Sequence, residues 1–187
     1  MSHYKIGVIV GSLRKESYNR KLAKFLIALA PPNLEMVDIN IGELAIYNQD
    51  YDDESRPPLS WTEFREQMRT VDAVIFVTPE YNRSVPGVLK NALDVGSRPY
   101  GKSIWDTKPA AVISVSIGIR GGFGANHHLR QSLVYLNMPT MQQPEAYLGN
   151  AADLFSAEGE LTNKSMCDFL QRFVTSFANW IVKIEID

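Results

Sequence analysis

Three short apolar runs, at 6–10, 73–77 and 110–115, decide most of what this chain can fold into. Each is rich in Val, Ile or Ala and none alternates with polar residues, which is the pattern of a strand covered on both faces inside a parallel sheet. None approaches the roughly 18–20 apolar residues that a bilayer span needs, so no membrane partner is expected. A sheet covered on both faces requires helices between its strands, and the intervening segments supply them.

After a first strand at 4–10, Leu22, Ala23, Leu26, Ile27 and Ala30 recur at helical spacing over 20–30, and Pro31 and Pro32 stop that helix. A second strand is expected at 35–40, followed by an irregular acidic connection carrying Asp50, Asp52, Asp53 and Glu54, read as solvated surface. Ser60 and Glu63 have the spacing of a reciprocal helix-start cap, which predicts a helix over 60–70. Strand three follows at 73–78, and Pro86 suits the first turn of a helix over 88–95. A strand over 110–116, a glycine-rich stretch, a helix over 127–138, a short strand near 140–143 and an amphipathic helix from about 163 to 184 complete the pass. Strand–helix alternation with right-handed crossovers gives a doubly wound open sheet, and five parallel strands favour the order 2-1-3-4-5. With 187 residues and no visible linker, the chain reads as a single domain, 1–187.

Composition narrows the partners. Nineteen basic residues stand against 21 acidic ones, a formal charge of −2 without a polybasic tract, so nucleic acid is not expected. Cys167 is the sole cysteine, and no charged start with a cleavage site precedes the first apolar run, so a cytoplasmic location is expected. His127 and His128 point about 100° apart on a helix and no Cys/His/Glu set completes a metal site. Cys167, among Met166, Phe169 and Leu170, reads as a small buried thiol. Phe169, Phe173, Phe177 and Trp180 repeat at helical steps and are expected to pack the last helix on the sheet.

In a doubly wound sheet, ligands bind beyond the carboxyl ends of the strands where the strand order reverses, which singles out the loops beginning at Gly11, Pro79 and Gly118. The first, GSLRKESYN, places the Ser12 and Ser17 hydroxyls, the Asn19 amide and the Arg14 guanidinium just before a helix. Free N–H groups at a helix start attract anions, and these side chains can donate to phosphate oxygens. That loop carries neither the Gly-Lys-Ser/Thr of a triphosphate loop nor the Gly-x-Gly-x-x-Gly of a dinucleotide loop, so a terminal phosphate monoester fits it better. A serine-rich turn that merely caps the helix is the competing reading. The second loop offers a proline-fixed backbone, an aromatic and an amide to a planar ring, or is an ordinary strand-to-helix turn. The third, SIGIRGG, lets backbone approach a ligand closely, or is a flexible surface loop.

Taken together, the runs GSLRKESYN, TPEYNRSVPGVLKNALD followed by SRP, and SIGIRGG with HLRQSL downstream resemble the NADPH-dependent FMN reductase family, in particular its chromate and quinone reductase branch. The resemblance extends from about Ile6 to Leu148. It implies a flavodoxin-like three-layer α/β fold that binds FMN non-covalently, with NADPH or NADH as electron donor. The acceptors it implies are small molecules: quinones, flavins, azo compounds or metal oxyanions such as chromate. Carried over by motif, Ser12, Arg14, Ser17 and Asn19 would hold the FMN phosphate. Pro79, Glu80, Tyr81 and Asn82 would line the isoalloxazine, and Ser116, Gly118 and Gly121 would approach it from the third loop. Lys90, Asn91 and Asp94 are expected to support the second loop. Val95 and Gly124 depart from the pattern, standing where relatives often carry Trp and Arg. The chemistry would lie on the flavin, with no catalytic side chain required, in a ping-pong cycle. Relatives form dimers or tetramers, and a homodimer or homotetramer is expected. A flavodoxin-like electron carrier reduced by a partner protein is the rival function.

Overall fold

The structure, a computed structural model, describes residues 2–185. Its five strands are β1 (Tyr4–Val10), β2 (Leu34–Ile39), β3 (Ala73–Thr78), β4 (Ala110–Val115) and β5 (Ala146–Leu148). The helices are α1 (Tyr18–Ala28), α2 (Gln49–Asp53), α3 (Leu59–Arg69), α4 (Gly87–Gly96), α5 (Phe123–Tyr135) and α6 (Lys164–Glu185). All strand pairs are parallel, in the order β2-β1-β3-β4-β5. This is the flavodoxin-like doubly wound α/β fold, as expected.

The period of two along each strand divides the core into two slabs. Ile6, Val8 and Val10 of β1, with Ala111, Ile113 and Val115 of β4, meet Leu22 and Leu26 of α1 and Phe173 and Phe177 of α6. On the other face, Ile9, Val74, Phe76 and Val112 meet Trp61 and Phe64 of α3, Leu89 and Leu93 of α4, and Leu129 and Leu133 of α5. The aromatic repeat of α6 therefore packs on the sheet as read, with Phe169 and Trp180 at its partly buried edges. Cys167 is only half-buried rather than enclosed.

Four local readings change. Pro58, not Ser60, precedes the first turn of α3, and no side chain caps that end; the proline supplies the extended entry, and the Ser60–Glu63 box does not form. Likewise Pro86 occupies the position before α4 rather than its first turn. Helix α5 begins at Phe123, four residues before the expected start, because Gly122 turns left-handed at φ 78° and launches the helix from inside the glycine run. The last strand lies at Ala146–Leu148, whereas Thr140 makes only a single bridge to Ala110. Pro144, which has no N–H to give to a ladder, separates the two stretches.

The acidic connection also differs from its surface reading. Asp52 accepts two hydrogen bonds from Arg65, Nη1 to Oδ1 at 2.8 Å and Nη2 to Oδ2 at 2.7 Å, and both side chains are almost wholly buried. Arg65 Nε donates to the Val95 carbonyl at 3.0 Å, so one guanidinium ties α2, α3 and α4 together. Nearby, Asn91 of α4 donates to the Leu44 and Ala45 carbonyls and accepts from Tyr47 N–H, clamping the loop after β2. Asn91 thus supports that loop rather than the 79–86 loop.

Candidate active site at the switch point

The carboxyl ends of β1, β3 and β4 frame a hollow of about 140 Å³ lined by residues of three loops: Ser12, Arg14, Ser17, Tyr18 and Asn19 from the first, Pro79, Glu80 and Tyr81 from the second, and Val115, Ser116 and Ile117 from the third. Neighbouring strands β1 and β3 send their connections to opposite sheet faces, and the gap between those connections is the hollow. Eight of the eleven residues expected from sequence line it: Ser12, Arg14, Ser17, Asn19, Pro79, Glu80, Tyr81 and Ser116.

The first loop is shaped by its strand and its helix. Gly11 closes β1 where an added Cβ would lie 3.1 Å from Leu89 and 3.2 Å from the Thr78 hydroxyl, so the chain turns tightly over α4. Ser17 stands before α1 in extended conformation, yet its hydroxyl does not cap the helix, and no acidic residue occupies the first turn. The anion-attracting end of α1 is therefore left open toward the loop. Ser12, Ser17 and Asn19 are all buried polar residues here. The Asn19 amide donates from Nδ2 to the Val115 carbonyl at 3.3 Å, which fixes its orientation, and its Oδ1 is buried with no hydrogen-bond partner. A buried acceptor in that condition calls for an incoming O–H or N–H.

Sequence reasoning missed Tyr18, Val115 and Ile117 in the lining and Arg20 behind it. Arg20 donates to the Ser12 carbonyl at 3.4 Å and pairs with Asp38 at 3.6 Å, bracing the loop against β2. Its place in the first turn of α1, directly after the motif, was the available signal.

On the ring side, Tyr81 and Ser84 exchange backbone hydrogen bonds at 3.1 and 3.0 Å around Asn82 and Arg83, both left-handed at φ 51° and 66°. Asn82 thus forms the turn instead of lining the hollow. Glu80 lines it, but its carboxylate accepts from Ala125 N–H at 3.1 Å and pairs with Arg83 at 3.3 Å. Ser116 Oγ accepts from Gly118 N–H at 3.1 Å, closing a turn at the mouth. Gly118 has no close neighbour there except that hydroxyl, while a Cβ on Gly121 would lie 2.5 Å from the Tyr147 backbone. Gly121 therefore owes its glycine to β5, not to the hollow. Leu13, Tyr81, Ile117 and Ile119 are exposed on these same loops, giving the mouth an apolar rim.

Farther out, Phe123, His127 and Tyr147 form an aromatic cluster, with the Tyr147 hydroxyl 3.0 Å from His127 Nε2. Burial first, then the Glu145 carboxylate, push the Tyr147 pKa up to about 12, partly offset by Arg130. His128 Nδ1 lies 3.0 Å from the Ser84 hydroxyl. Both histidines are thus engaged singly, and no group of three or more potential metal-ligating side chains occurs among the described residues.

Comparison with known proteins matches the chain to a family. The family model described as NADPH-dependent FMN reductase matches residues 4–153. A quinone reductase of Pseudomonas putida is 61% identical over 178 residues, covering 95% of each chain. A 2-hydroxy-1,4-benzoquinone reductase of a Burkholderia species is 43% identical over 177 residues, covering 95% of this chain and 96% of the relative. The solved structure of FerB, a flavoenzyme NAD(P)H:(acceptor) oxidoreductase from Paracoccus denitrificans, superposes with a TM-score of 0.89 at 42% identity, over 96% of this chain and 98% of that one. An uncapped helix start at the switch point of a 2-1-3-4-5 sheet, a family model matching most of the chain and relatives covering nearly all of it lead to one conclusion: the chain belongs to the NADPH-dependent FMN reductase family, oxidoreductases that use FMN and NAD(P)H.

Proposed function

We propose that this chain reduces small quinones with electrons from NAD(P)H, using FMN held in the switch-point hollow, and that residues 1–187 act as a single domain. The observation that carries the placement is the open start of α1, where buried Ser12, Ser17 and Asn19 and the charged Arg14 face a hollow with no acidic residue in the helix's first turn. Those groups suit a phosphate monoester with a hydroxylated chain behind it. Ser12 and Ser17 would donate to phosphate oxygens and Arg14 would add a permanent charge. Asn19, expected to hold the phosphate, has its Nδ2 engaged with the Val115 carbonyl, and its orphaned Oδ1 would instead accept from a hydroxyl of the ribityl chain. Pro79, Glu80, Tyr81, Ser116 and Ile117, which line the same hollow, would flank the ring. Asn82, Gly118 and Gly121 act through loop shape.

Bound FMN supplies the hydride acceptor and the onward electron donor, so the protein's task is orientation and electrostatics. The apolar rim of Leu13, Tyr81, Ile117 and Ile119 favours a flat, weakly polar acceptor over a hydrated one. Quinones lead the acceptor range on that account, with flavins, azo compounds and metal oxyanions such as chromate following. Donor and acceptor take turns at one mouth, giving a ping-pong pattern. The test is steady-state kinetics of the FMN-loaded protein with NADPH and benzoquinone. Turnover that depends on FMN, with parallel double-reciprocal lines, supports the reading; intersecting lines reject the shared mouth, and absence of turnover rejects the enzyme.

The rival electron carrier docks through dense acidic charge near its flavin. Here Arg14, Lys15, Arg83 and Arg120 are exposed on the first, second and third loops, which suits an anionic dinucleotide instead. A second copy of the chain is proposed to cover the groove of about 520 Å³ between α4 and α5, where Leu93, Arg98, His128 and Tyr135 meet. Gel filtration returning a dimer or tetramer supports that face, and a fully active monomer removes it. No helix among the described residues is long and apolar enough to cross a membrane, and a reducing cytoplasm is proposed for a chain whose sole cysteine is unpaired.

A further inference from the structure

The 79–86 loop is not hung between β3 and α4 alone. Three contacts tie it sideways to the start of α5. Glu80 Oε2 accepts from Ala125 N–H at 3.1 Å, with the Glu80 side chain only 12% exposed. The Ser84 hydroxyl lies 3.0 Å from His128 Nδ1, one turn farther along α5. Between them Gly124 passes so close that an added Cβ would sit 2.8 Å from the Arg83 carbonyl oxygen and 2.9 Å from Glu80 Oε2. The start of α5 is fixed in turn, since Cβ atoms at Gly121 and Gly122 would strike the Tyr147 backbone at 2.5 Å and Ser114 at 2.9 Å. Helix α5 is therefore anchored on β4 and β5, and it passes that anchorage to the wall of the hollow.

We infer that Glu80 is a positioning residue, whose carboxylate, seated on the Ala125 N–H at the start of α5 in the space left by Gly124, sets the place of the Pro79–Glu80–Tyr81 wall against which the flavin ring lies. The physical case has two parts. A carboxylate at a helix start gains from the free N–H groups and the helix dipole, a charge-assisted contact stronger than a neutral one. Meanwhile Arg83, whose side chain is largely exposed, pairs with the other oxygen at 3.3 Å and offsets the negative charge, so the carboxylate is occupied away from the ring. The wall is thereby held in one place before any ligand arrives, which lowers the ordering cost of binding. Both ring-side loops move as one body, because the second is fastened to the helix that the third loop launches.

The inference rests on the FMN reading for its consequence but not for its mechanical content, so the experiment has two arms. In the flavin-free protein, backbone amide exchange is followed over 79–86 and 123–127 for the wild type, Glu80→Ala, Glu80→Gln and Gly124→Ala. Glu80→Ala and Gly124→Ala are expected to speed exchange in both segments by roughly tenfold, the loss of one charge-assisted contact, with the first loop at 11–17 unchanged. Glu80→Gln keeps an acceptor for Ala125 N–H and is expected to restore most of the protection. In the second arm, FMN and riboflavin are titrated into the same proteins, and the visible circular dichroism of bound flavin is recorded. Both ligands are expected to lose the same factor, roughly tenfold in Glu80→Ala, with an altered flavin band, because the defect lies at the ring and not at the phosphate.

Unchanged exchange in Glu80→Ala, or Glu80→Gln behaving like Glu80→Ala, overturns the clamp. Faster exchange throughout the chain, including 11–17, overturns it as well, because it assigns Glu80 to general stability. Failure of the wild type to bind FMN refutes the cofactor reading instead, and leaves the exchange result to stand or fall by itself.

Discussion

Arg14 stands exposed at the edge of the hollow, on the loop that leads into the uncapped start of α1. A guanidinium–phosphate contact there is charge-assisted, so Arg14→Ala is expected to weaken FMN binding by roughly tenfold to a hundredfold. Fluorescence titration of the apoprotein checks it, and an unchanged affinity removes Arg14 from the phosphate site. At Tyr147, burial and Glu145 raise the pKa from an ordinary 10.0 to about 12. The folded state therefore favours the neutral phenol more than the unfolded chain does. That contribution is complete below pH 10 and is lost as the pH rises toward 12. Tyr147→Phe is expected to flatten the loss of stability across that window, read by urea unfolding at each pH; an equally steep loss in the variant contradicts the assignment. The residues of the first loop were legible because their types and their position agree. Asn19 shows the limit, since only the fold reveals that its Nδ2 is spent on Val115 and that its Oδ1 is left without a donor.

Among the elements, β1, β3 and β4 were plain in the sequence, because a strand buried on both faces leaves an uninterrupted Val/Ile signature. What escaped depended on partners far along the chain. The Arg65–Asp52 pair joins residues 13 apart and turns an acidic stretch that reads as surface into part of the packing between α2 and α3. Asp52→Ala leaves the buried guanidinium uncompensated and is expected to cost about 3–5 kcal/mol. Denaturant unfolding measures that cost, and replacing both partners by apolar residues of similar size is expected to recover much of it. A cost below 1 kcal/mol for Asp52→Ala would show the pair to be solvated. The start of α5 was hidden for a related reason. A glycine run signals a loop when taken alone, whereas here Gly121, Gly122 and Gly124 are glycine so that β5, β4 and the 79–86 loop can approach the helix start.

For the whole molecule, the 2-1-3-4-5 order fixes where a ligand site belongs before any side chain is placed. Topology brings 12–19, 79–81 and 115–117 to one hollow, and that convergence is what joins motifs far apart in the chain into the proposed flavin site. The sequence alone could not show that Asn82 and Gly121 serve the loops rather than the hollow, since both roles favour small or turn-forming residues. The same convergence carries the central claim, that the chain holds FMN at the switch point and accepts electrons there from a pyridine nucleotide. The most direct measurement is the visible spectrum of the protein mixed with FMN, desalted, and then given NADPH or NADH without oxygen. The account predicts that a flavin band survives desalting and bleaches within seconds of adding a donor. A protein that emerges colourless, or one that stays yellow with both donors, contradicts it.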